Sequence, residues 1–112
     1  MASPLISITV CVRNGAHWID DCMTALCAQT IRPLEIIAVD DGSTDGSDEL
    51  LQQWQISQVE SSVGIPIQVL SQEQLGLSAG RNKALNISKE EWVAITDIDC
   101  RPRPDWIARM FT

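Results

Sequence analysis

Apolar residues recur along this chain with two alternating periods, one typical of strands and one typical of helices. The segment Leu5 to Val12 alternates and is rich in Ile and Val, which predicts a β-strand. From Ala16 onward, apolar side chains recur at helical spacing, at Ile19, Cys22, Met23 and Leu26. This part of the chain therefore predicts one strand followed by one helix.

The same alternation continues to the end of the sequence. Further strands are predicted at Leu34–Val39, Ile65–Leu70 and Trp92–Thr96. Pro102 and Pro104 exclude regular structure in the segment that follows the last strand. Strands that alternate with helices predict an α/β fold, a Rossmann-like parallel sheet with flanking helices.

The later helices carry their own start signals. The second helix should begin at a cap near Asp45 or Ser47, and its buried side chains should be Leu50, Leu51 and Trp54. The third should run to about Ser88, with Ser78 as its candidate N-cap. A short helix is predicted to begin near Asp105.

Acidic residues follow two of the predicted strands. Asp40 and Asp41 come directly after the second strand, and Asp97 and Asp99 directly after the fourth. Ligands of open parallel sheets bind in the crevice at the carboxyl ends of the strands. We therefore expect these four aspartates to face one crevice.

The acidic segment VDDGSTDGSDE at residues 39–49 also invites comparison with a calcium loop. An EF-hand loop that starts at Asp41 places Gly46 correctly at position 6, but position 12 is Gln52, which does not chelate as a carboxylate does. The segment also follows a predicted strand, whereas an EF-hand loop follows a helix. The pattern therefore argues against calcium.

Length and charge narrow the classes of function. A chain of 112 residues is expected to form a single domain over residues 1–112. Its net charge is −7, and its eight basic residues do not cluster, so nothing drives binding to nucleic acid by counterion release. A polyanionic partner would need a cation as mediator.

The start of the sequence bears on membrane insertion and on the cellular compartment. The apolar run Ile6–Val12 is far too short to span a membrane, and MASPL lacks the positive charge of a signal peptide. We therefore expect no transmembrane segment and a cytoplasmic protein. The cysteines show no metal-binding spacing and are predicted to be buried thiols; they are Cys11, Cys22, Cys27 and Cys100. We assign no catalytic role to the lone His17.

Three motifs together resemble those of family 2 glycosyltransferases with the GT-A nucleotide-sugar fold. They are VDDGSTDGS after a strand, GLSAGRNKAL on a helix, and WVAITDIDCRPRPDW across the last strand. Each motif alone is weak, but their order and spacing make the resemblance specific from about Ile6 to Met110. It implies an inverting, metal-dependent transfer of sugar from a nucleotide-sugar, most simply a UDP-sugar, to an acceptor hydroxyl.

The resemblance also assigns roles to single residues. Asp97-Ile-Asp99 resembles the DxD motif, which implies that Asp99 binds Mn²⁺ or Mg²⁺ and that Asp97 contacts ribose or a metal-bound water. Asp40 is implied to accept a hydrogen bond from the base, with Asp41 nearby. The alternatives are a solvated acidic turn for the DxD motif and helix capping for Asp40.

Two arginines complete the candidate site, and a glycine lies next to one of them. Arg81, near the start of its helix, favours an anion such as the diphosphate, although a solvated arginine fits the pattern nearly as well. Arg13 stands, beside Asn14, where the family usually has an aromatic or threonine near the base, so it is a candidate for stacking or phosphate pairing. Gly80 replaces a common alanine, which permits a close approach of the helix.

The chain resembles only the donor-binding half of such enzymes, because the sequence ends one short helix after the DxD motif and offers no candidate general base. We therefore expect a donor-binding domain that is inactive alone and that self-associates through the fourth strand and the apolar side of Trp106, Ile107 and Met110. The alternative is a non-catalytic nucleotide-binding or interaction module with the same fold. A dinucleotide-dependent dehydrogenase is excluded, because no GxGxxG follows the first strand.

Overall fold

The computed structural model describes residues 6–31, 35–61, 64–88 and 92–110. Strands and helices alternate along them as the sequence predicts. The elements are β1 (Ile6–Val12), α1 (Ala16–Cys27), β2 (Glu35–Asp41), α2 (Ser47–Glu60), β3 (Ile67–Gln72), α3 (Leu77–Ile87), β4 (Trp92–Asp97) and α4 (Trp106–Met110). Leu5 and Leu34, the predicted starts of two strands, lie outside the described residues.

The described strands form one parallel sheet in the order β3-β2-β1-β4. Val12 of β1 pairs with Asp40 of β2, and Cys11 pairs with Asp97 of β4. The carboxyl ends of β2 and β4 therefore lie at the same edge, on either side of β1. This arrangement confirms the predicted α/β fold and the expectation that residues distant in sequence meet at that edge.

The two faces of the sheet are covered differently. On one face the even-numbered residues of β1 pack with α1, α2 and α4 in a fully apolar core. On the other face α3 covers a smaller cluster of Cys11, Ile37, Val39 and Ala84. The helical spacing of the sequence predicts these burials correctly for Ile19, Cys22, Met23 and Leu26.

Several element ends differ from the sequence predictions. The N-cap of α2 is Gly46 and that of α3 is Gly76, with φ angles of 91° and 100°, so neither Ser47 nor Ser78 caps its helix. Glycine occupies both positions because few other residues adopt a positive φ at low cost. β3 begins only after Pro66, whose carbonyl accepts the N–H of Ile36 at 2.9 Å.

The predicted buried residues of α2 and the cysteines are confirmed in part. Leu51 is fully buried, while Leu50 and Trp54 pack partly buried against the core. Cys11 and Cys22 are buried as expected and Cys27 is half-buried. The prediction is wrong for Cys100, which is exposed because it follows the last strand in a turn.

The proline-rich segment after β4 has no regular structure, as predicted, yet Gln29 ties it to the domain. The Gln29 side chain is buried, its Nε2 donates to the Arg103 carbonyl at 2.8 Å, and its Oε1 accepts the N–H of Ile107 at 3.1 Å. This link fixes α4 against the sheet. Within the described residues, no helix has the length and apolar character needed to cross a membrane.

Candidate functional site

A crevice of about 480 Å³ opens at the carboxyl ends of the strands. It lies between the turn after β1, the start of α3 and the turn after β4. Five of the six residues that the sequence assigns to a site line it: Arg13, Asp41, Arg81, Asp97 and Asp99. The sixth, Asp40, does not.

Asp40 is directed away from the crevice because β2 continues two residues beyond its predicted end. Successive side chains of a strand point to opposite faces, so Asp40 and Asp41 diverge. Asp40 is only 3% exposed, and its Oδ2 accepts the N–H of Ser43 at 3.4 Å, while its Oδ1 has no partner within the described ranges. The expectation that all four aspartates face one crevice is therefore wrong for Asp40.

Asp41 lies buried at the floor of the crevice and organises the segment that leads into α3. Its carboxylate accepts Gln72 Nε2 at 2.8 Å, the N–H of Leu75 at 2.8 Å and the N–H of Gly76 at 3.1 Å. The bond from Gln72 and then that from Leu75 lower the pKa of Asp41, and the charge of Arg13 lowers it further. Since Gly76 caps α3, Asp41 fixes where that helix begins.

One side of the crevice, which we call the central wall, consists of residues 13–16 and the loop 43–47 that braces them. Asn14, with a φ of 51°, donates its N–H to Ser43 Oγ at 2.8 Å, and its Oδ1 accepts the N–H of Thr44 at 2.8 Å. Gly15 donates its N–H to Ser47 Oγ at 3.1 Å. The two loops therefore hold one another.

Asp45 satisfies the first N–H groups of two helices at once. Its Oδ2 accepts the N–H of Ala16 in α1 at 3.0 Å, and its Oδ1 accepts the N–H of Ser47 in α2 at 3.1 Å and the Ser47 hydroxyl at 2.6 Å. These bonds, led by that from the Ser47 hydroxyl, lower the pKa of Asp45. Asp45 thus accepts the first N–H of α2, as a capping residue would, although Gly46 occupies the N-cap position.

The opposite side, the edge wall, consists of residues 97–100 after β4. Arg81 reaches across from α3 and donates Nη2 to Asp97 Oδ1 at 2.9 Å, in an ion pair whose side chains are 39% and 60% exposed. The chain turns at Ile98 and Asp99, and Cys100 donates its N–H to the Asp97 carbonyl at 3.0 Å. The ligand atoms of Asp97, Asp99 and Cys100 all lie within 4.8 Å of one another.

The edge wall fits the metal that the sequence predicts. In an extended strand, residues two apart are separated by roughly 6.6 Å, too far for two carboxylates to hold one ion easily. The turn at Ile98 removes that obstacle by bringing Asp97 and Asp99 together. Exposed carboxylates suit Mn²⁺ or Mg²⁺ completed by phosphate oxygens and water.

Two features of the crevice are not predicted from the sequence. Cys11 Sγ occupies the space that a Cβ at Gly80 would need, so the glycine lets α3 pack directly on Cys11. The burial of Cys11 raises the pKa of its thiol. Trp18 also lines the crevice, although its helical spacing gave no sign of it.

Comparisons with known proteins agree with this geometry. The family described as Glycosyl transferase family 2 matches residues 7–112. Glycosyltransferase AglE of Haloferax volcanii is 31% identical over 108 residues, which are 95% of this chain and 34% of AglE. Glycosyltransferase GlyG of Streptococcus pneumoniae is 34% identical over 98 residues, which are 87% of this chain and 31% of GlyG.

Solved structures show the same architecture. The mannosyltransferase PcManGT from Pyrobaculum calidifontis, in complex with GDP-Man and Mn²⁺, superposes with a TM-score of 0.82 at 27% identity, over 96% of this chain and 31% of PcManGT. S. aureus TarS 1-349 in complex with UDP gives a TM-score of 0.81 at 22% identity, over 96% of this chain and 31% of TarS, and shows the fold alone. With the motifs, the crevice and the match over residues 7–112, the chain belongs to glycosyl transferase family 2.

Proposed function

We propose that this chain binds the nucleotide-sugar donor of a metal-dependent, inverting glycosyl transfer. The observation that carries the proposal is the pair Asp97 and Asp99, placed in one crevice with Arg13 and Arg81. Carboxylates for a divalent ion beside guanidinium groups for phosphate oxygens suit a nucleoside diphosphate. The complex of PcManGT with GDP-Man and Mn²⁺ supports this choice of ligand.

In this proposal Asp99 holds Mn²⁺ or Mg²⁺, and Asp97 contacts ribose or a metal-bound water. When bound, the ion would neutralise the charge of the departing diphosphate. The exposure of Asp97 to solvent and its replaceable ion pair with Arg81 support this assignment. Arg81 is then released to pair with a phosphate oxygen.

The base is assigned to the end of the crevice lined by Arg13 and Asp41. Arg13 is exposed there, and a planar guanidinium can stack on a base or pair with phosphate. Asp41 is engaged by three donors, so its part is to hold Gly76 and the start of α3 in place. We propose a UDP-sugar as the donor, and the base contact implied for Asp40 is not retained because that side chain lies outside the crevice.

Inverting transfer needs a general base that this part of the chain does not supply. An acceptor oxygen would bond to the anomeric carbon as the bond to diphosphate breaks, and a base would take the acceptor proton. Within the described residues, the carboxylates lining the crevice are Asp41, Asp97 and Asp99, and each has another task. We therefore propose that these 112 residues bind donor without transferring sugar.

Two further properties belong to the proposal. Trp92, Ile95 and Met110, in β4 and α4, are about half exposed, which supports self-association at the β4 edge of the sheet. Of the other residues predicted for this surface, Ile107 is fully buried and Trp106 is partly buried. The exposed thiol of Cys100 supports a reducing, cytoplasmic location. Light scattering at high protein concentration tests the first, and a clean monomer would contradict it.

The alternative is a non-catalytic nucleotide-binding module, which the full commitment of the crevice carboxylates favours. Both hypotheses, the donor-binding domain of a glycosyltransferase and the non-catalytic module, predict that Mn²⁺ with UDP or UDP-sugars raises the melting temperature of the chain. Arg81→Ala should remove that increase, whereas the matched control Arg101→Ala, outside the crevice, should retain it. No increase with UDP, GDP or their sugars would refute donor binding.

Product analysis then distinguishes donor binding alone from sugar transfer. The chain is incubated with Mn²⁺, a panel of sugar nucleotides and mixed acceptors, and glycosides are sought by mass spectrometry. We expect none, since a positioned base contributes about 10² to 10⁴-fold to the rate and acceptor orientation contributes more. Robust product that disappears in Asp99→Asn would show that these residues contain a base after all.

A further inference from the structure

Trp18 exposes a large aromatic surface inside the crevice. Its side chain is 41% exposed, although it stands in the first turn of α1 directly before the fully buried Ile19. Among the described residues that line the crevice, Trp18 is the sole aromatic. An indole combines an apolar face with one N–H donor, a pairing suited to ligands that are polar at their rim and apolar on a face.

The main chain at Trp18 is fixed, and one edge of its indole has a partner. The backbone N–H of Trp18 donates to the Gly15 carbonyl at 2.8 Å, and Gly15 is itself held by Ser47. His17 meets the indole edge to face, with ring centroids 4.9 Å apart and an interplanar angle of 83°. The ring is therefore partly ordered before a ligand packs on it.

Trp18 also lies toward one particular end of the crevice. Ile98, next to Asp99, approaches Gly15 so closely that a Cβ there would lie 3.0 Å from Ile98 Cγ2. Cys22, one turn after Trp18 in α1, donates from its Sγ to the Asp97 carbonyl at 3.8 Å, so this part of α1 lies beside the edge wall. Asp41 is on β2, two strands from β4, a separation of roughly 10 Å at the usual strand spacing.

We propose that Trp18 is the platform for the donor sugar, an inference that builds on the function proposed above. A diphosphate separates base and sugar, so a base near Arg13 and Asp41 and a diphosphate near Asp99 place the sugar at the end that Trp18 lines. The C–H face of a pyranose packs on the indole, and its hydroxyl groups remain free for polar partners. Trp18 thereby favours a sugar nucleotide over the bare nucleotide.

The test compares nucleotide pairs by calorimetry with Mn²⁺ on the 112-residue chain: UDP with UDP-glucose, and GDP with GDP-mannose. Trp18→Ala should leave the affinity for the diphosphate within about twofold and weaken the sugar nucleotide roughly three- to tenfold, the range expected for one aromatic contact. Trp18→Phe should recover most of the loss. Trp92→Ala, which removes an exposed indole outside the crevice, should change neither.

A fluorescence readout gives independent evidence. The sugar nucleotide should quench the wild-type emission more than the diphosphate does, and Trp18→Phe should abolish that difference. Equal losses for both ligands in Trp18→Ala, or no loss for either, would overturn the sugar platform while leaving donor binding intact. Absence of nucleotide binding to the wild-type chain would instead overturn the proposed function and this inference with it.

Discussion

The two walls of the crevice are built in opposite ways. In the central wall, Ser43, Asp45 and Ser47 bind the backbone N–H groups of residues 14–16 at 2.8 to 3.1 Å. In the edge wall, hydrogen bonds hold the main chain at Asp97, but its carboxylate is exposed and pairs with the exposed Arg81, and the Asp99 carboxylate is exposed as well. An exposed pair of this kind contributes at most about 1 kcal/mol. The central wall is therefore fixed by its own contacts, whereas the carboxylates of the edge wall are left for a ligand to engage.

The largest expected effect comes from forcing the two walls apart at Gly15. A Cβ there would lie 2.6 Å from Val12 Cγ2 and 3.0 Å from Ile98 Cγ2, so it meets the sheet and the edge wall together. We expect Gly15→Ala to lower the free energy of unfolding by about 1–3 kcal/mol, the usual cost of overpacking. Urea unfolding measures the loss, with the exposed helical position Ser78→Ala as control. Unchanged stability would show that the walls are not in contact.

A second effect tests how α3 brings Arg81 to the edge wall. Because Cys11 Sγ fills the space above Gly80, Gly80→Ala should destabilise the domain by about 1–3 kcal/mol despite its better helix propensity. In a Cys11→Ala background the same change should be neutral or stabilising. A double-mutant cycle by urea unfolding gives the interaction energy directly. Additive effects would mean that the two positions are not sterically coupled.

A smaller effect is expected from loosening the central wall at Asp45. Asp45→Ala removes bonds to the starts of α1 and α2, and by analogy with N-caps it should cost about 1 kcal/mol. Glu49→Ala, an exposed acidic residue in the first turn of α2, is the matched control. An equal change in both variants would contradict the bracing role of Asp45.

Asp45 in the central wall and Asp41 at the floor of the crevice together predict an acid sensitivity. The pKa values of Asp41 and Asp45 are both lowered from the ordinary 3.8. The stabilisation is therefore fully present above about pH 5, where both states are ionised, and it is lost as the pH falls through the folded-state pKa values. Urea unfolding between pH 6 and about pH 2.5 should show this decline, less steeply in Asp45→Ala. A free energy of unfolding that rises on acidification would contradict this prediction.

The sequence predicts what depends on local patterns and misses what depends on distant contacts. Hydrophobic periodicity identifies the strands and helices, and the parallel order brings Asp41, Asp97 and Arg81 together as expected. The misplacement of Asp40 follows from the predicted strand end, since two more extended residues direct Asp40 and Asp41 to opposite faces and leave only Asp41 in the crevice.

Other features had no local signal. The close packing of Cys11 and Gly80 joins positions in β1 and α3, and the double role of Asp45 joins two helix starts. Neither is visible until the sheet places these elements side by side. Helical spacing likewise shows that Ile19 is buried but not that its neighbour Trp18 faces a crevice.

The most direct test of the account is whether a nucleoside diphosphate needs a metal to bind the edge wall. A chain of net charge −7 with Asp97 and Asp99 in the crevice repels a diphosphate unless a cation intervenes. Calorimetry with UDP should therefore show binding in Mn²⁺ and none in EDTA. Asp99→Asn should abolish the metal-dependent binding, while Asp21→Asn, which lies outside the crevice, should not. Equal affinity for UDP with and without EDTA would contradict the account.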